Sequence, residues 1–197
     1  MTASTDLNAQ QRHVLEALRP FLGLAADDLY ESNGRSLRQL ARFARDSSLP
    51  GCQRFVTGLA LAQALLAEEL GDRSVFDTPQ AVADFLQLHF AGQAHESFAV
   101  LYLDARHALL AFEDLFRGTL TQTSVYPREI IKRALHHNAA GVILAHNHPS
   151  GSTDPSLADR ALTQVLRSAL ALVDVQVVDH LVVAGAHTLS FAQRGLL

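Results

Sequence analysis

Apolar and polar positions along this chain follow two rhythms. Up to about residue 90 the apolar positions recur at helical spacing. In "NAQQRHVLEALRPFL" Val14, Leu15, Leu18, Phe21 and Leu22 line one side, with Pro20 near the end of the stretch. "SLRQLARFA" follows the turn signal Asn33-Gly34. "SSLPGCQRFVTGLALAQALLAEEL" predicts a loop around Pro50-Gly51 and then a long apolar helix, and "PQAVADFLQLHF" predicts another. From Ser97 the rhythm shortens. "SFAVLYLD" and "HALLAFEDLF" flank the short turn Asp104-Ala105-Arg106 and read as a hairpin. "YPREIIKRALHHNA" is a helix with Pro127 near its start, and "GVILAH" is a short buried strand. A helix from about Pro155 to Leu172 follows, then the strands "VQVVDHLVVAG" and "TLSFA".

This succession predicts two domains: a small all-helical one over residues 1–74, and an α/β layered one over residues 75–197. The boundary is placed in "GDRSVFDTP", residues 71–79, where glycine, charge and proline separate two helical patterns. No internal repeat or low-complexity segment interrupts the chain.

Composition narrows the picture. With 48% hydrophobic and 18% charged residues, the 197-residue chain has the make-up of a folded globular protein. A net charge of −4 gives no global basic signature, so any nucleic-acid contact has to be local. Cys52 is the only cysteine, which excludes an internal disulfide and a cysteine-rich zinc knuckle. It also points to a reducing, cytoplasmic setting. The N-terminal "MTASTDLNAQQRH" has no apolar signal core, and no uncharged run is long enough for a membrane span, so no membrane partner is expected.

The stretch "HNHPSGSTDPSLAD", His146 to Asp159, carries the candidate chemistry. His146 and His148 lie two apart at a strand end, so both imidazoles face one side while Asn147 points away. Pro149 and the Ser150-Gly151 turn stop the strand. Asp154-Pro155 then predicts an N-cap and first helical position, which puts Asp159 one turn into the helix, leaning back toward the histidines. Two neutral imidazoles and a carboxylate make a three-ligand set for one zinc ion, with a fourth position open to water. The tripeptide His-Asn-His is not by itself a nuclease signature, and a single cysteine excludes the ligand set of the zinc deaminases.

The same stretch resembles the JAMM pattern, His-x-His-Pro-x6-Ser-x2-Asp, of the MPN-domain metalloproteases. "REIIKRALHHNAAGVILAHNHPSG" and the later "DHLVV" resemble the bacterial RadC family within that group. The resemblance implies a cytidine-deaminase-like fold, a layered mixed sheet flanked by helices, with zinc held by His146, His148 and Asp159. It implies hydrolysis of a peptide or isopeptide bond in an unidentified substrate. It also implies a glutamate general base at the start of a strand, for which Glu96 is the match and Glu113 the competitor. Ser156 corresponds to a serine that hydrogen-bonds the oxyanion. Asp179 and His180 recur in the resemblance too. On a valine-rich strand, His180 is read as a structural hydrogen-bonding residue rather than a fourth ligand.

The helical part supports a different reading. "LPGCQRFVTGLALAQAL" resembles a degenerate helix-hairpin-helix, a unit that binds the DNA backbone, with Cys52 and Gln53 where its second glycine would stand. Arg35, Arg38, Arg42 and Arg45 are spaced to line one helical face, opposite Leu37, Leu40 and Ala44. Such a stripe suits phosphates. The alternative function is therefore a DNA-associated repair or recombination accessory protein with a structural or vestigial metal site.

Overall fold

The computed structural model describes residues 7–75, 77, 79–118 and 125–197. Residues 1–6, and Phe76 and Thr78 of the expected boundary loop, lie outside that set. The chain divides into two units, Met1–Ala62 and Gln63–Leu197.

In the first unit, α1 (Ala9–Leu22) starts at a capping box in which Asn8 and Gln11 satisfy each other's backbone amides. A 3-10 turn (Gly23–Ala25) leads into α2 (Ala26–Ser32), which the apolar spacing does not announce. Then come α3 (Leu37–Asp46), capped by Ser36, and α4 (Pro50–Asp72), within which the division between the units falls. Leu15, Leu18, Leu22, Tyr30, Leu40, Ala44, Cys52 and Phe55 form this unit's core. Two expectations need correction. Pro50 and Gly51 are the first turn of α4 rather than a loop, so the hairpin that would present amides to a phosphate does not form. Proline is well placed there because its fixed φ suits the first helical position. Gly51 serves close packing instead, since a Cβ on it would lie 3.1 Å from Leu22 Cα and 3.2 Å from Phe21 O.

Arg35 is the second. It precedes α3 in a left-handed conformation (φ 55°), outside the helix that carries Arg38, Arg42 and Arg45. Its guanidinium donates to both oxygens of Glu31, at 2.7 and 3.0 Å, so it does not share their stripe. Leu40, Ala41 and Ala44 form the buried side of α3, and Leu37 is largely exposed.

The second unit builds a five-stranded sheet in the order β2-β1-β3-β4-β5. α5 (Pro79–Phe90) leads into β1 (Ser97–Leu103), which pairs antiparallel with β2 (Leu109–Arg117) through the predicted hairpin. After α6 (Pro127–His136), β3 (Gly141–Asn147) inserts on the other side of β1, antiparallel to it. α7 (Leu157–Ala171) then crosses over to β4 (Gln176–Ala184), parallel to β3, and β5 (His187–Ser190) closes the edge. Helices cover both faces. Val82, Phe85, Leu86 and Phe90 pack on Leu101, Leu103, Ile143 and Val183, while Ile130, Ala134, Leu166 and Leu170 pack on Val100, Tyr102, Val142 and Leu144. β1 and β3 are buried along their whole length for that reason, and their sequences are apolar runs rather than alternations. Among the described residues, no helix is long and apolar enough to cross a membrane.

Candidate metal centre

Val142, Leu144 and His146 of β3 face the α6/α7 layer in alternation, which aims His146 at the start of α7. His148 N donates to Val183 O at 2.8 Å, continuing the parallel ladder past β3. The two imidazoles therefore do share a side. Gly151, at φ 92°, then turns the chain.

The helix begins two residues later than Asp154-Pro155 predicts. Ser156 is the N-cap of α7 and Asp159 its third residue, in a reciprocal capping box: Ser156 Oγ accepts from Asp159 N (3.1 Å), and Asp159 Oδ2 accepts from Ser156 N (2.7 Å). This cap satisfies two helix-end donors at once, which a cap at Asp154 would not. It folds the Asp159 carboxylate back over the helix start, toward the histidines.

The three side chains form a triangle. His146 Nε2 lies 3.0 Å from His148 Nε2 and 3.5 Å from Asp159 Oδ1, and His148 Nε2 lies 3.6 Å from Asp159 Oδ2. Tetrahedral zinc with ligands at about 2.0–2.1 Å needs ligand atoms about 3.3–3.4 Å apart, so the donor set fits the ion in spacing and in kind. A carboxylate oxygen of Glu96 completes a group of four whose ligand atoms all lie within 4.8 Å of one another.

Electrostatics match the geometry. Burial alone would raise the Asp159 carboxyl, but the neighbouring imidazoles of His146 and His148 hold it well below the usual carboxylate range. Asp159 in turn raises His148 against the opposing effect of burial. His148 Nδ1 meets Ser152 O at 2.8 Å, so that nitrogen carries a proton and Nε2 is the nitrogen turned toward the centre. Burial pushes His180 well below the ordinary imidazole value.

Glu96 reaches the group from the loop before β1, across 50 residues of sequence. The holder of this loop is Asn147, which sequence reasoning left merely pointing away. Its Oδ1 accepts from Ser97 N at 2.7 Å and its Nδ2 donates to His95 O at 3.0 Å, so one buried amide grips the backbone on both sides of Glu96. The tripeptide 146–148 thus puts two imidazoles on one face and the glutamate's anchor on the other. The only signal in the sequence was an amide between the two histidines.

Glu113 lies elsewhere. It stands opposite Val100 on β2 and accepts from Arg133 Nε at 2.7 Å, with Arg133 Nη2 and His137 Nε2 on its other oxygen. Arg133 foremost, against burial and together with His137, holds its carboxyl at about 2. Because this lies below the ordinary 4.5, the stabilisation is complete above about pH 4.5 and is lost as the pH falls toward 2. Glu113→Gln should therefore flatten the acid limb of melting temperature against pH across that window. Parallel curves for the two proteins would count against the ion pair.

Ser156 Oγ donates to Asp159 Oδ2 at 2.7 Å, so in this state its hydroxyl serves the carboxylate and the cap. His180 is fully buried, with Nε2 on His146 Nδ1 (2.8 Å) and Nδ1 on Thr163 Oγ1 (2.7 Å), which leaves no nitrogen for a metal. Asp179 accepts from His180 N, Ala192 N and Ser190 Oγ.

Comparison with known proteins adds the family context. The family model described as "RadC-like JAB domain" matches residues 76–196. A UPF0758 protein of Acidovorax sp. (strain JS42) is 64% identical over 139 residues, 71% of this chain and 58% of that protein. One from Polaromonas sp. (strain JS666 / ATCC BAA-500) is 63% identical over 142 residues, 72% and 63% of the two chains. Another, from Variovorax paradoxus (strain S110), is 49% identical over 182 residues, 92% and 79%. The chain thus spans about three fifths of the length of the first of these relatives, 58%.

Proposed function

The chain belongs to the RadC-like JAB domain family, and on that premise we propose that it is a zinc-dependent hydrolase that cuts a peptide or isopeptide amide. The observation that carries the reading is the His146–His148–Asp159 triangle, at tetrahedral spacing, with the Glu96 carboxylate beside it. In this reading one zinc ion sits on the triangle. When bound, it would bring the pKa of water to about 7 and polarise the substrate carbonyl. Glu96 takes the proton of the attacking water and delivers it to the leaving amine. Asn147 keeps the Glu96 loop in place through its two hydrogen bonds. Ser156 turns its hydroxyl from Asp159 to the carbonyl oxygen as negative charge gathers there. The single cysteine accords with work in a reducing, cytoplasmic setting. Metal analysis of protein purified without chelators tests the reading: about one zinc per chain is expected, and metal-free protein would overturn it.

A second reading concerns the helical unit. Arg38, Arg42 and Arg45 follow one another along one side of α3, and among the described residues none has an ion-pair partner. They suit a nucleic-acid backbone, as an accessory role in DNA repair requires. DNA binding that weakens steeply with salt, and is lost in the double variant Arg38→Glu/Arg42→Glu, is the expected result. Binding unchanged by the double variant removes the stripe from the reading.

A further inference from the structure

Behind the triangle, His146 and Asp159 are joined by three hydrogen bonds in series. His146 Nδ1 lies 2.8 Å from His180 Nε2, His180 Nδ1 lies 2.7 Å from Thr163 Oγ1, and Thr163 Oγ1 lies 2.6 Å from Asp159 O. The last acceptor sets the direction of all three. A backbone carbonyl can only accept, so the Thr163 hydroxyl commits its one proton to Asp159 O. Its oxygen must then accept from His180 Nδ1–H, which leaves His180 Nε2 as a bare acceptor. His146 Nδ1 therefore carries a proton, and His146 Nε2, the nitrogen facing the site, keeps its lone pair for a metal.

Among the described residues, Thr163 Oγ1 is the partner that His180 Nδ1 meets. Thr163 and His180 are both at 0% exposure, so solvent does not reach the relay. The His180 ring is held between Phe191, stacked at 4.7 Å, and the edge of Phe98 at 5.7 Å. Thr163 follows Asp159 by one helical turn, so the helix that presents the carboxylate also presents the hydroxyl.

We propose that Thr163 is a positioning residue of the metal centre, which sets, through His180, the tautomer in which His146 binds zinc. The proposal rests on the reading of the triangle as a zinc site, and it gives a helical threonine a role beyond an internal hydrogen bond. Two variants separate the roles: Thr163→Ser keeps the hydroxyl, and Thr163→Val keeps the shape without it.

The test uses the full chain. Zinc affinity is measured by competition with a chromogenic chelator, and the imidazole nitrogens of metal-free protein are followed by long-range proton–nitrogen correlation in mildly alkaline solution. Wild type should show His146 protonated at Nδ1. Thr163→Ser should bind zinc as wild type does, and Thr163→Val about 10- to 100-fold more weakly. The proposal is overturned if His146 of the wild type is protonated at Nε2, or if Thr163→Val binds zinc as tightly as Thr163→Ser. The wild-type tautomer decides the matter even if the valine variant does not fold. A wild type that binds no zinc would sink the zinc reading, and the tautomer spectrum would still decide the relay.

Discussion

Replacing His148 by alanine is expected to leave the purified protein without zinc. Three protein ligands hold the ion in the proposed centre, and zinc at a complete four-ligand protein site is bound by about 10–16 kcal/mol. One ligand's share, a quarter of that, is then about 2.5–4 kcal/mol, or roughly a 10²- to 10³-fold loss of affinity. His148 is the informative ligand to remove. Its second nitrogen bonds to Ser152 O in an exposed turn, so alanine leaves the buried His180 and its partners untouched. Alanine at His146 would deprive the buried His180 of its Nε2 partner and mix a folding defect into the result. Zinc stoichiometry by elemental analysis, beside a thermal melt showing that the variant is folded, checks the expectation. Full zinc occupancy in folded His148→Ala would remove this histidine from the centre.

Glu96→Gln is expected to have the opposite signature: zinc retained, activity lost. The carboxylate belongs to the same group of four as the ligands, so it could act either as base or as fourth ligand. The amide keeps the size of the side chain and removes its basicity. If Glu96 is the base, cleavage of any amide substrate that the wild type cuts should fall by about 10²–10⁴-fold, with unchanged zinc affinity. If it is a ligand, affinity falls with the rate. Measuring both on the same preparations separates the roles, and a variant that keeps zinc and full rate would return the search for a base to other carboxylates. Glu113 is a poor candidate, because Arg133 and His137 already engage both its oxygens.

Much of the fold was legible locally. The helix over residues 79–90 and the strands flanking Asp104-Ala105-Arg106 emerge where the apolar period places them. The helical segment 26–32 did not announce itself, because in its seven residues only Ala26 and Tyr30 are buried and Leu29 partly so, too few apolar positions to establish a period. The start of α7 was misplaced by two residues because Asp154-Pro155 and Ser156 both carry capping chemistry. Reciprocal bonding between Ser156 and Asp159 decided between them. Arg35 fitted the stripe by spacing alone, but Glu31 and a left-handed turn take it off the helix.

By itself the sequence determined which residues share a side: His146 with His148 by the period of a strand, and Asp159 with the first turn of the helix that follows them. Those relations are local, set by backbone geometry over a few residues. Beyond the β1–β2 hairpin, which strand lies beside which was decided only by the tertiary structure. β3 enters between β1 and β4, and that single choice brings Glu96, gripped by Asn147, to the histidines from one side and His180 from the other. Sheet order follows from how apolar faces are buried across the whole unit, a sum over distant residues that no short window contains.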